Sequence, residues 1–105
     1  MRESEVEKHL FKRVKAAGGF AYKFKSPNRN NVPDRLVVLP LEVTRRARHR
    51  LPQSFFVELK RPGEEPNDGQ LREHKRLRDL GQKVYVADTK ERVDEILKEY
   101  GVLPC

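Results

Sequence analysis

Three charged residues interrupt the apolar segments of this sequence. Asp34 stands at the mouth of Arg-Leu-Val-Val-Leu (35–39), a run of strand length. Glu58 and Lys60 fall inside Ser-Phe-Phe-Val-Glu-Leu-Lys (54–60). Strand alternation puts Glu58 and Lys60 on one face and Val57 and Leu59 on the other. Two carboxylates at the ends of adjacent strands can hold a hard divalent cation, with water, a backbone carbonyl and a substrate phosphate completing its shell. Such a cation lowers the pKa of a bound water and neutralises charge on an attacked phosphate. A lysine beside that water can orient it or stabilise the developing negative charge. These are the requirements of phosphodiester hydrolysis. Structural alternatives exist for each residue. Asp34 could bond the backbone of the preceding loop, and Glu58 with Lys60 could be an ion pair, although desolvation makes a buried pair a poor stabiliser.

A second irregularity lies near the N-terminus. Val6, Leu10, Phe11 and Val14 recur at helical spacing. Glu3 and Glu7 fall within the same arc, one turn apart. Glu3 could simply complement the helix dipole; Glu7, a turn deeper, is the better candidate for the site.

The elements that must position these residues follow from the pattern. A helix is predicted from Glu3 to Ala17, stopped by Gly18-Gly19. Strands are predicted at Phe20–Phe24, Arg35–Leu39, Ser54–Lys60 and Lys83–Ala87. The second and third read as central strands covered on both faces. Ser26–Pro33 is a loop of turn formers. Glu42–Gln53 is a long basic connection, a protruding hairpin or a mobile loop, and carries Arg45, Arg46, Arg48, His49 and Arg50. Helices are predicted from Asp68 to Leu80, with Leu71, His74 and Leu77 on one side, and from Asp88 to Tyr100, opened by an Asp88/Glu91 capping box. The order is αβββαβα, an α/β fold with a central mixed sheet flanked by helices.

Composition sets the class. The chain has 105 residues, a formal charge of +7 and 37% charged residues, which predicts one domain over 1–105. The charge favours a polyanionic partner, nucleic acid above all. No apolar run reaches the ~20 residues of a membrane span, and the charged N-terminus has no signal-peptide core. The expected setting is cytoplasmic. Cys105, the one cysteine, excludes a disulfide framework and a cysteine zinc site. No histidine has metal-ligand spacing. Tyr22 and Tyr85 read as strand core.

Pro33-Asp34 followed by Glu58-Leu59-Lys60 resembles the PD-(D/E)xK nuclease signature, and the element order resembles that superfamily's restriction-endonuclease-like core. More narrowly, the chain resembles the VRR-NUC (virus-type replication-repair nuclease) domain from Glu3 to about Leu97. The supporting residues are Glu3-Ser-Glu-Val-Glu7, Gly18-Gly19, Ser26-Pro27, Val32-Pro33-Asp34-Arg35-Leu36, Phe56 to Lys60, Gln70, and Gly81 before Val84-Tyr85-Val86. Val32 departs from the glycine the family often has before Pro-Asp. The resemblance implies that Asp34, Glu58 and the Leu59 carbonyl bind Mg²⁺ or Mn²⁺, and that Lys60 positions the water. It implies further that Glu7 holds metal or metal-bound water, and that Gln70 lines the site. Gln70 could equally close a capping box with Asn67.

The resemblance also implies a metal-dependent DNA endonuclease that leaves a 5′-phosphate and uses no organic cofactor. Stand-alone members resemble Holliday junction resolvases, which implies a homodimer acting on branched DNA. The alternatives are a flap or nicking nuclease on the same core and a non-catalytic basic DNA-binding module. Lys23, Lys25, Arg29, Arg35, Arg45 and Arg46 are the expected nucleic-acid contacts, in loops around Asp34 and Glu58.

Overall fold

The structure is a computed structural model that describes residues 2–102; Cys105 lies outside the described residues. The first helix, α1 (Glu3–Ala16), buries Val6, Leu10 and Val14. Its predicted stop holds: Gly18 takes φ +90°, a left-handed conformation that ends the helix. Strand β1 (Phe20–Lys23) follows, then β2 (Arg35–Val38).

The basic connection differs from expectation. Leu41–Thr44 forms a short helix, α2, which buries Val43 and Thr44. It seats against the C-terminal end of the described chain, where Gly101 approaches Val43 so closely that a Cβ would meet its carbonyl oxygen. The segment is therefore a packed excursion and not a protruding hairpin. Strand β3 (Ser54–Leu59), helix α3 (Asp68–Asp79), strand β4 (Val84–Ala87) and helix α4 (Lys90–Glu99) complete the chain. Thr89, not Asp88, caps α4, accepting from the Arg92 N–H. Asp88 instead accepts from the Gly63 N–H, tying the β3–α3 loop to the end of β4.

The sheet order is β1-β2-β3-β4, antiparallel through β3 and parallel between β3 and β4. Helix α3 is the crossover that a parallel pair requires. One face carries Ala21, Val37, Phe55, Val57, Leu59 and Ala87, covered by α1 and α4. Phe55, Tyr85 and Tyr100 form an aromatic cluster there, with Phe55 and Tyr100 centroids 4.1 Å apart. The Tyr85 and Tyr100 hydroxyls share a 2.7 Å hydrogen bond, which satisfies both phenols.

The opposite face is covered by α3 only toward β4. Phe20, Tyr22 and Val38, on β1 and β2, remain exposed. Double coverage of β2 is thus corrected, and Tyr22 is a surface residue. Leu71 also faces solvent; the inward positions of α3 belong to Glu73 and His74.

Gly101 sits at φ +93° with a Cβ position 2.2 Å from the Val43 carbonyl oxygen. Strain and collision act together at this position. Gly101→Ala is expected to cost ~2 kcal/mol or more, which lowers the thermal midpoint by about 8 °C or more in a calorimetric melt. An unchanged midpoint would show that α2 is not held by this contact.

Candidate active site

Strand register brings the acids together. Arg35 pairs with Val57 in the antiparallel β2–β3 ladder, so the next step places Asp34 opposite Glu58 on the same face. Their carboxyl groups share a hydrogen bond, and Glu58 is buried. Asp34 also accepts from the Leu59 N–H at 2.7 Å. Backbone anchoring and proximity to Glu58 therefore coexist in one side chain.

Helix α3 holds the other side of Glu58. Gln70 Nε2 donates to Glu58 Oε2 at 3.3 Å, and His74 Nε2 lies 3.1 Å from Oε1. The Gln70 amide serves both alternatives read from the sequence. Its oxygen accepts from the Asn67 N–H at 3.0 Å and closes the capping box, while its nitrogen reaches the site. His74 is fully buried. It was readable only as an apolar-face residue, yet it stands one turn after Gln70, the spacing that puts two side chains on one helix face. Burial and the neighbouring Arg78 charge hold its pKa below the usual histidine value.

Lys60, one alternation beyond Glu58, lies within electrostatic reach of Glu58, Glu3 and His74. Burial pushes the Glu58 carboxyl up to about 8, helped by the hydrogen bond and charge of Asp34 and opposed by Lys60. Crowding by Asp34 at low solvent exposure thus favours the protonated Glu58 carboxyl.

Both helix-one acids border the site, Glu7 in the lining of the recess that also holds Asp34 and Glu3 within electrostatic reach of Asp34. Glu7 is engaged by Arg35, with Glu7 Oε2 3.0 Å from Nη2 and 3.2 Å from Nε. Glu3 feels the charges of the site. Partial desolvation and the charges of Asp34 and Glu64 raise its pKa, with Lys60 opposing. Helical spacing placed both acids on one face, and both lie at the edge of the site.

The expected nucleic-acid contacts divide. Lys23, Lys25 and Arg29 line a recess of about 420 Å³ with Asn30, Asn31 and Asp34. Arg29 also pairs with buried Glu73 at 2.8 Å, pinning the 26–33 loop to α3. Arg35 is corrected: it is buried, donates to the Ala21 carbonyl at 2.7 Å and pairs with Glu7, so it braces the sheet against α1. The placement of Arg45 and Arg46 beside the acids is also corrected. Strand β2 leaves Asp34 and β3 returns to Glu58, so their connection lies at the far end of the sheet. The Val38–Ser54 pair is already four residues from the acid row, about 13 Å at strand rise. Arg46 there donates to the Gly101 carbonyl at 3.2 Å.

The donor set suits one class of cation. Magnesium-like ions use one or two carboxylates and retain several waters. Asp34 and Glu58 fit that pattern. Among the described residues no group of three or more His, Cys, Asp or Glu forms a preassembled cluster.

The raised Glu58 pKa has a consequence for stability. In the unfolded chain its carboxyl ionises near its ordinary 4.5, and in the fold at about 8. The folded state thus holds a proton that the unfolded state loses in this window. The stabilisation is fully present below 4.5 and is lost as pH rises through about 8. Metal-free protein should melt at progressively lower temperature from about pH 5 to about pH 8.5. Glu58→Gln should flatten this slope and melt about 4 °C or more above wild type at the alkaline end. Parallel slopes for the two proteins would contradict a protonated Glu58.

No family model matches the chain. A protein of Acyrthosiphon pisum secondary endosymbiont phage 1 named "Putative nuclease p44" is 48% identical over 91 residues, 87% of each chain. A solved structure described as a VRR_NUC domain superposes with a TM-score of 0.77 at 34% identity. That match covers 93% of this chain and 96% of the other. A mixed four-stranded sheet with flanking helices, the ordered acids and lysine, and two relatives matched over most of their lengths have one explanation: the chain belongs to the VRR-NUC family.

Proposed function

We propose that this single-domain chain is a Mg²⁺- or Mn²⁺-dependent endonuclease that hydrolyses phosphodiester bonds in branched DNA, a Holliday junction being the leading substrate. The observation that carries this reading is the Asp34–Glu58 carboxyl pair with Lys60 on the same strand face. A protein that only bound phosphate would gain nothing from two acids at that place, because they repel the ligand unless a cation lies between.

Asp34 and Glu58 would hold the cation, with the Leu59 carbonyl as a further ligand. When bound, it would neutralise the attacked phosphate and acidify a water. Lys60 would orient that water and stabilise negative charge as the phosphorus–oxygen bond breaks, leaving a 5′-phosphate. Gln70 would hold Glu58 in place. Glu3, rather than Glu7, would receive a proton or a metal-bound water at the helix-one edge. Lys23, Lys25 and Arg29, around the recess beside Asp34, would bind the cut strand.

The basic segment at the far end of the sheet favours a branched substrate over a short linear one. Leu41 to Gln53 contains four arginines against one acid, and Arg45, Arg48 and Arg50 are exposed. These residues and the recess would bind phosphates on different arms. Phe20, Tyr22 and Val38 offer an uncovered apolar sheet face for a second copy of the chain. A two-fold homodimer would present two equivalent sites to a two-fold junction.

The test is cleavage of a synthetic four-way junction and a linear duplex by purified protein with Mg²⁺ or Mn²⁺. Wild type should cut the junction preferentially. Asp34→Asn and Lys60→Ala should each lose about 100-fold or more in rate while retaining DNA binding. Failure to cut branched, flapped or single-stranded DNA with either metal would defeat the nuclease reading.

A second measurement separates the helix-one acids. Glu3→Gln should lower the cleavage rate about tenfold with an unchanged melting temperature, whereas Glu7→Gln should lower the melting temperature by releasing buried Arg35. The reverse pattern would return the catalytic role to Glu7.

A further inference from the structure

Glu58 is held by two side chains of one helix, and the second has no place in the reaction described so far. His74 is fully buried, and its Nε2 lies 3.1 Å from Glu58 Oε1. Gln70 occupies the other oxygen at 3.3 Å. Each carboxylate oxygen thus has one contact on the α3 side, and Asp34 stands opposite Glu58 on the neighbouring strand. We propose that His74 is a positioning residue, whose Nε2–H fixes the Glu58 carboxylate in the orientation from which it binds the divalent cation. The inference rests on the reading of Glu58 as a metal ligand.

The tautomer follows from hydrogen-bond accounting. With a cation bound, Glu58 is ionised and can only accept, so the contact then requires the proton on Nε2. Nδ1 is then an acceptor. Among the described residues it is the buried side-chain polar atom without a hydrogen-bond partner. An orphan acceptor is tolerated more readily than an orphan N–H. The same arrangement therefore accounts for the bond on one nitrogen and the vacancy on the other. Burial on α3 fixes the imidazole, and a fixed donor restricts the carboxylate more than water would. Partners that orient a ligand in this way typically change metal affinity by about 10–100-fold when removed.

Gln and Asn separate positioning from packing. A Gln side chain can place its amide nitrogen where His74 Nε2 lies. An Asn amide ends at the level of Nδ1 and falls short of Glu58. Mn²⁺ affinity of the full chain can be read by titration calorimetry without DNA. His74→Asn should weaken Mn²⁺ binding by about 10–100-fold, and His74→Gln should stay within about threefold of wild type. Equal Mn²⁺ affinity in both variants and wild type would overturn the inference. So would an equal loss in both variants that follows their melting temperatures, which would make His74 a packing residue only. If His74→Asn does not fold, His74→Leu takes its place, with the same expectations against His74→Gln. If wild type itself bound no Mn²⁺ and cut no DNA, the nuclease reading would fall and the inference with it. Cleavage by wild type with unaltered Mn²⁺ binding in the non-Gln variant would remove the inference alone.

Discussion

Two carboxyl groups held side by side in a desolvated place cannot both ionise at little cost, and much of this structure answers that constraint. Asp34 and Glu58 meet because β2 and β3 pair antiparallel in one particular register. A slip of one residue would turn Glu58 to the opposite face, under α1 and α4, and turn Val57 and Leu59 out of it. The surrounding elements maintain the encounter. The Leu59 N–H anchors Asp34, and Gln70 and His74 hold Glu58 from α3. The apolar layer of α1 and α4 on the other face keeps the register from slipping by one, since that slip would expose Phe55 and Val57.

The periphery is fastened in a way that leaves the acid pair accessible. Arg29 reaches buried Glu73, and Asn31 packs closely on Gly69, so the 26–33 loop lies against the start of α3 instead of across Asp34. Asp88 ties down the loop after β3 through the Gly63 N–H. The recess between them keeps Lys23 and Lys25 exposed beside Asp34. The longest connection, with α2, is placed at the other end of the sheet, where it cannot cover the acids.

Much of this was legible in the residues. Alternation assigned Glu58 and Lys60 to one face, and the helix stops at Gly18 and Gly81 both hold, each glycine at positive φ. Other features were not, for identifiable reasons. Helical spacing names a face but not a partner, so it could not tell that Arg35 would pair with Glu7 at the edge of the recess. A histidine among leucines reads as core until the strand opposite is known, and only the sheet puts Glu58 beneath His74. The far position of Arg45 and Arg46 was deducible. If Asp34 begins one strand and Glu58 ends the next, and the two meet, the strands are antiparallel and the connection must leave from the opposite end.

The distribution of ion pairs separates these acids from the rest. Glu7, Glu73 and Asp94 each have an arginine within ion-pair distance. Among the described residues, Asp34 and Glu58 have no such arginine or lysine; their partners are a backbone N–H, an amide and a neutral imidazole. A guanidinium at that place would satisfy the pair permanently and occupy the space between the two strands. Neutral donors orient the carboxylates without cancelling their charge. In a chain with 23 lysines and arginines, this exclusion is selective. It leaves the negative charge of the pair to be balanced from outside the polypeptide, by a proton in the metal-free protein and by a divalent cation under the proposed chemistry.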